Sequence, residues 1–294
     1  MRAVYAESIN SKDPLSGLVV GERPEPQAPE GWARVTVKAA ALNHHDVWSL
    51  RGQGLKAEAL PMILGCDAAG VDEEGNEVVV HAVISDPGFT GTDETTDPRR
   101  SLLSERYQGT FADTVVVPRR NLVPKPEGLS MVEAACLPTA WLTAYRMLFV
   151  RGAMRPGESV LVQGVGGGVS TALVALARAA GLRVYATSRS EAKRARALEI
   201  GAHEVFDSGE LPATGTAVLF GHSRDVDHTL VEELYPDAPL STGMNTRLNT
   251  GEPGALEQVL AFDPDFTYTA AGIDVRLRAY DRIRLFEQAG GAFH

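Results

Sequence analysis

Residues 159–170 read Ser159-Val160-Leu161-Val162-Gln163-Gly164-Val165-Gly166-Gly167-Gly168-Val169-Ser170. The first five are a short apolar run of strand type. Gly-rich chain follows, and then Thr171 to Ala180 supplies a helix-forming stretch. Gly181 stands where a glycine ends a helix. Arg183 to Ser188 is a second strand. Ser190 caps a helix through Ile200, ended by Gly201, and Glu204-Val205-Phe206 is a third strand. Strand and helix alternate, which predicts βαβ units and an α/β fold with a doubly wound parallel sheet.

Glycine between the first strand and its helix has a physical use. The turn is tight, and the backbone must come close to a pyrophosphate. The helix then presents free N–H groups and the positive end of its dipole to phosphate. An ordinary strand-to-helix turn is the competing reading, and the strand before, helix after and second strand at the right distance favour a dinucleotide. Gly164, Gly166, Gly167, Gly168 and Val169 are the expected contacts. An NAD site places an acid at the end of the second strand, about 20 residues past the glycines. Here that place holds Ser188-Arg189-Ser190, with Lys193 and Arg194 on the next helix. Ser188, Arg189 and Lys193 can bind a 2′-phosphate that an acid would repel, so NADP (NADPH) is the expected cofactor.

Residues 1–125 read differently. Val35 to Ala41, Val78 to Val83 and Thr114 to Val117 are strands bounded by Gly, Asn and Pro, and Asp86 to Arg106 is a polar surface loop. Ser130-Met131-Val132-Glu133 has the capping-box pattern, and a helical segment follows to about Val150. The expected organisation is a β-rich domain over 1–125, the first nucleotide-binding half over 126–212 and a divergent segment over 213–294.

Bulk properties narrow the partners. With 28 Lys+Arg against 38 Asp+Glu the formal net charge is −10. That balance opposes nucleic acid and anionic membranes, both of which need clustered positive charge. The 2 cysteines, Cys66 and Cys136, lack metal-ligand spacing. No apolar run approaches the roughly 18 residues of a membrane span. A cytoplasmic protein with a small-molecule substrate is expected.

These residues carry a resemblance. Val160 to Gly181, continued through Ala186-Thr187-Ser188 and Leu198 to Ala202, resembles the cofactor domain of medium-chain dehydrogenases, in the quinone oxidoreductase and enoyl reductase branch. Ala39-Ala40-Ala41-Leu42-Asn43-His44-His45-Asp46 resembles that family's AAxLNxxD segment. Pro61 to Gly70 (PMILGCDAAG), Gly109 to Ala112 and Leu137 to Tyr145 also match. The resemblance covers residues 1 to about 210. It implies a GroES-like β-barrel domain plus a Rossmann domain, an active site in the cleft between them, and hydride transfer to a quinone or conjugated carbonyl. Homodimers are common in the family.

Zinc members of the superfamily hold a catalytic metal at three positions. By the resemblance, Asn43 stands at the first, Gly65-Cys66-Asp67 replaces the Gly-His-Glu motif, and the third falls near Thr139. Zinc needs three protein ligands and an open site. Only Cys66 remains, so no metal is expected. Asn43 then becomes the donor to a developing oxyanion. His44 or His45 delivers a proton, since an imidazole titrates near neutrality. Tyr107 is a further candidate, and Thr139 and Thr143 contact the nicotinamide.

After Pro212 the resemblance stops. Thr216 to His222 and Phe266 to Thr269 read as strands, and Asp227 to Tyr235, Gly254 to Phe262 and Asp274 to Gln288 as helices. Three readings stand open: a degenerate second Rossmann half, a fusion or shifted reading frame, or an unrelated segment faintly similar to small cone-shaped ligand-binding domains. The leading expectation is a zinc-free NADPH-dependent reductase. The alternative is a catalytically impaired NADPH-binding protein, a sensor or partner subunit.

Overall fold

A computed structural model describes residues 1–207 except 93 and 153, and beyond them the segments Thr214–Gly215, Ala217–Phe220, Thr267–Ala270 and Ile273–Arg276. The chain forms two units, Met1–Ala140 and Trp141–His294. Among the described residues no helix is long and apolar enough to cross a membrane.

The first unit is a GroES-like arrangement of antiparallel strands. They are β1 Arg2–Ala6, β2 Leu18–Glu22, β3 Trp32–Ala41, β4 Met62–Ile63, β5 Asp67–Asp72, β6 Glu77–Val80, β7 Val83–Ile84, β8 Ser101–Leu102, β9 Thr114–Pro118 and β10 Leu122–Pro124. Five of them form a sheet in the order β10-β6-β5-β3-β9, three a second sheet β2-β1-β4, and β7 pairs with β8. Inward residues repeat at the strand period of two: Ala33 and Val35 of β3 are buried, and Val35 shares its core with Ala68, Val80, Val115 and Val117. Helix α1, His44–Leu50, starts shortly after β3. The strand register shifts between Val37 and Ala39, a bulge that re-aims the end of β3 where the chain turns into α1.

The expected capping box is formed. Glu133 N donates to Ser130 Oγ (3.2 Å) and Ser130 N to Glu133 Oε2 (2.8 Å), opening α2, Met131–Ala135. The helix continues through turns to Arg151 by way of α3, Leu142–Tyr145. The sequence pattern ends the first domain at 125, whereas the units divide after Ala140. The reason is packing: Ala134 and Ala135 of α2 are buried against Ala69 of β5 and Val79 of β6, so α2 belongs to the first unit's core.

In the second unit β11 Ser159–Gln163, α4 Gly168–Ala179, β12 Arg183–Thr187, α5 Glu191–Glu199 and β13 Glu204–Phe206 alternate as expected. The short β14, Thr214–Gly215, precedes β15, Ala217–Phe220, which pairs parallel to β11 on its other side. The order is therefore β13-β12-β11-β15. This is the Rossmann arrangement, and the direction of strand addition reverses at β11. Val160, Leu161 and Val162 are buried as a strand covered on both faces requires. Ala172, Leu173, Val174 and Ala177 of α4 share their core with Val184 and Ala186 of β12.

Beyond 207 the expected strands at 216–222 and 266–269 appear as β15 and β16, Thr267–Ala270. Of the helix expected over Asp274 to Gln288, the first three residues are corrected, since Ile273–Arg276 is β17, antiparallel to β16 and parallel to β14, and 277–288 lie outside the described residues. The β-branched Ile273 and Val275 favour that extended pairing. The helices expected at 227–235 and 254–262 lie outside the described residues.

Candidate functional site

The glycine loop leaves the C-terminal end of β11, at the point where the sheet changes direction and α/β sheets bind ligands. Gly164 has φ 71° and Gly166 φ 124°, values that side chains disfavour. Gly164 N donates to Thr187 Oγ1 (3.3 Å) and Val165 N to Thr187 O (2.8 Å), tying the loop to the end of β12. Gly166 N and Gly167 N both donate to Ser170 Oγ, at 3.2 and 3.1 Å. The amides of Gly168, Val169 and Ser170 open α4, where first-turn N–H groups have no intrahelical acceptor. The glycines therefore divide the work. Gly164 to Gly167 shape and brace the turn, and the helix start offers the donors. Sequence reasoning missed Ser170 as the brace, although a short polar residue at the third helical position is a known capping signal.

Beside the loop, the Lys193 side chain lies against Gly166: a Cβ built on that glycine would stand 2.5 Å from Lys193 Cδ. The Lys193 amide donates to Ser190 Oγ at 3.4 Å, as the expected cap requires. Ser188 is buried at the end of β12, and Arg189 and Lys193 are exposed. Arg194 is held back, donating to Ser188 O and to Asp207 Oδ2 (3.0 Å). No acid ends β12. A glycine turn, the free amides of a helix start and two exposed cations fit a phosphorylated dinucleotide.

A polar cluster sits in the first unit. Asn43 precedes α1, its N–H donating to Asp46 Oδ2 (2.8 Å) and its Nδ2 to Asp67 Oδ2 (2.9 Å). The other carboxylate oxygen, Asp67 Oδ1, accepts from Thr139 Oγ1 (2.6 Å). Asp67 is only 1% exposed. Burial raises its carboxyl to about 6, against the opposing pull of the Thr139 and Asn43 hydrogen bonds. The structure thus brings Asn43 and Thr139 together on a carboxylate that the Gly65-Cys66-Asp67 motif located but to which sequence reasoning gave no role.

Of the other candidates, His44 is exposed and packs edge-on against Trp48, ring centroids 5.2 Å apart. The Tyr107 ring packs against Trp32 (5.4 Å) and beneath Arg106, at the edge of the β3 core. Thr143 is half-buried on α3 in the second unit.

His45 is buried, unlike its neighbour. Its Nε2 meets Glu105 Oε1 at 2.9 Å and its Nδ1 meets Cys66 Sγ at 3.2 Å, while Cys66 Sγ also donates to Leu103 O (3.4 Å). Burial alone would lower the His45 pKa, but Cys66 and Glu105 outweigh it and raise it to about 10. Burial likewise pushes the Cys66 thiol up. His45, Asp46 and Cys66 place ligand atoms within 4.8 Å of one another, and a metal bound there would have to displace the imidazole proton.

A folded pKa above the unfolded value means stability that is complete below about pH 6.5 and lost as pH rises through about 10. Glu105→Gln is therefore expected to cost about 2 kcal/mol at pH 7, the worth of a charged hydrogen bond, and to flatten the loss of stability between pH 7 and 10. Urea unfolding at both pH values checks this, and equal pH slopes in the two proteins would refute it.

A catalytic zinc of the superfamily type does not fit these donors. Asn43 and Thr139 offer a neutral amide and a hydroxyl where zinc takes Cys, His or carboxylate, and Cys66 faces His45.

Comparison with known proteins agrees with this geometry. The family model described as "Alcohol dehydrogenase GroES-like domain" matches residues 29–127, and "Zinc-binding dehydrogenase" matches 168–228. A mouse quinone oxidoreductase is 33% identical over 247 residues, 83% of this chain and 69% of the relative. A solved NAD-dependent alcohol dehydrogenase is 38% identical with TM-score 0.66, covering 71% of this chain and 64% of the other. The quinone oxidoreductase of Thermus thermophilus, solved also with NADPH, is 34% identical with TM-score 0.61, covering 78% and 69%. Part of each relative thus has no matched counterpart here. Both domain models occur in the order the two units occupy, and the identity extends across them: the chain belongs to the quinone oxidoreductase-like branch of the medium-chain dehydrogenase/reductase superfamily, an oxidoreductase family.

Proposed function

We propose that the protein is an NADPH-dependent oxidoreductase that reduces a quinone or an α,β-unsaturated carbonyl without zinc. The observation that carries this reading is the Asn43–Asp67–Thr139 hydrogen-bonded set, in which Asn43 stands where the resemblance puts one metal ligand and Thr139 lies near where it puts another. Bound NADPH supplies the hydride. The chain supplies the rest. The amides of Gly168 to Ser170 hold the diphosphate. Asn43 offers an N–H to the oxygen that gains negative charge, and exposed His44 stands next to it in the chain as the proton source. Turnover of NADPH with a quinone panel, unchanged by a strong chelator, is the expected result. Chelator-sensitive turnover counts against the zinc-free part.

The solved relatives differ in cofactor, one NAD-dependent and one complexed with NADPH, so the preference rests on this chain's own residues. Replacing Arg189 and Lys193 together by glutamate is expected to lower the NADPH-to-NADH ratio of kcat/KM by about 100-fold, two charge-assisted contacts being lost. A ratio that stays put places the 2′-phosphate elsewhere.

A second reading, an NADPH-binding protein without turnover, is favoured by the length of the relatives left unmatched. It predicts thermal stabilisation by NADPH and no oxidation of NADPH with any acceptor.

A further inference from the structure

We propose that Asp67 is the positioning residue of this site, fixing the hydrogen-bond polarity of Asn43 and Thr139. The inference rests on the reductase reading and deepens it.

Three segments far apart in the chain meet at this carboxylate. Asn43 is 24 positions away and Thr139 is 72. The backbone of Asp67 is itself held, its carbonyl accepting from Thr110 Oγ1 at 3.0 Å. Counting protons then assigns a role to each neighbour. A carboxylate only accepts. One N–H of Asn43 and the hydroxyl proton of Thr139 must therefore both point at Asp67.

What remains is determined. Asn43 keeps its second amide proton, whose nearest acceptor is Ala41 O at 3.5 Å, the outer limit of a hydrogen bond. That proton is available to a developing oxyanion. Thr139 keeps only lone pairs, so it can accept from an N–H or O–H of a ligand and cannot donate. The carboxylate also holds the amide the right way round: an inverted Asn43 would set Oδ1 against the buried Asp67 Oδ2, two acceptors in contact. Asp46, the other nearby carboxylate, acts on the Asn43 backbone N–H instead and leaves the side chain to Asp67.

A role confined to holding the fold together makes a different prediction, and a reciprocal exchange separates the two. Steady-state kinetics with NADPH and 9,10-phenanthrenequinone, NADPH fluorescence titration and thermal unfolding are measured on the full chain. Asp67→Asn is expected to lower kcat about 30-fold while the Kd of NADPH moves less than about threefold, since the amide donor loses its fixed orientation. In the double variant Asn43→Asp, Asp67→Asn, the new amide donates to residue 43 and accepts from Thr139, so Tm recovers toward wild type. The rate stays low, because a carboxylate now faces the oxygen that gains charge. Recovery of kcat along with Tm overturns the proposal, as does an Asp67→Asn enzyme with wild-type kcat. Should Asp67→Asn fail to fold, Thr139→Val removes one arm: it is expected to lower kcat about fivefold, with Thr139→Ser restoring it, and equal rates for Val and Ser overturn the proposal. A wild-type chain that binds NADPH but reduces no acceptor overturns the reductase reading and this inference together. Wild-type turnover with an indifferent Asp67 removes the inference alone.

Discussion

On the proposed quinone reduction, Asn43→Ala is expected to lower kcat by about 100-fold, the usual cost of deleting one preorganised donor to an oxyanion. The substitution also removes the Asn43 Nδ2 donor to Asp67, which costs the fold about 1 kcal/mol. The two effects are separable. A loss of about 1 kcal/mol leaves a folded enzyme, whereas 100-fold in rate corresponds to about 2.7 kcal/mol of transition-state stabilisation. The Asn43 backbone N–H still reaches Asp46, so the start of α1 keeps one of its bonds. The nucleotide loop lies in the other unit, and NADPH affinity is expected to hold. Stopped-flow measurement of NADPH oxidation in a single turnover checks the chemical step directly. A variant within about threefold of wild type would remove Asn43 from the oxyanion role.

Gly166→Val is expected to weaken NADPH binding by about 100-fold or more, an effect of about 3 kcal/mol. At φ 124° the backbone is in a region that a β-branched residue avoids. The added carbons meet the Lys193 stem, which can move, but moving it displaces the cation beside the loop. If the backbone relaxes instead, the bonds from Gly166 N and Gly167 N to Ser170 Oγ break and the turn no longer aims the helix start at the diphosphate. Either response lowers affinity. Titration with NADPH gives the dissociation constant, and circular dichroism verifies that the sheet is retained. Affinity unchanged to within about threefold would mean that the loop does not hold the diphosphate.

Much of the nucleotide-binding unit was legible in the sequence. The strand, glycine turn, helix and second strand fall where the pattern puts them, because each depends on residues a few positions apart: the apolar run of Val160 to Val162, the Ser190 cap and the glycines themselves. The Ser130–Glu133 capping box is local in the same sense. The basic end of β12 could be read too, although Arg194, equally cationic in sequence, turns out to be held by Ser188 and Asp207.

The polar cluster was half legible. Asn43 and Thr139 are identifiable from their motifs, and neither motif names the carboxylate that joins them. Neighbouring residues of an extended chain point to opposite sides: Cys66 turns to His45, Leu103 and Ser104, while Asp67 turns to Asn43 and Thr139. Which side faces which partner depends on how β5 lies against segments 21 to 72 positions away. Sequence alone determined the local elements and the chemistry at the glycine turn, because short-range sterics and capping set them. Only the tertiary structure buried His45 while leaving His44 exposed, drew the unit boundary at Ala140 and put a buried carboxylate between Asn43 and Thr139, because those outcomes depend on which long-range pairs the packed core leaves within hydrogen-bond reach.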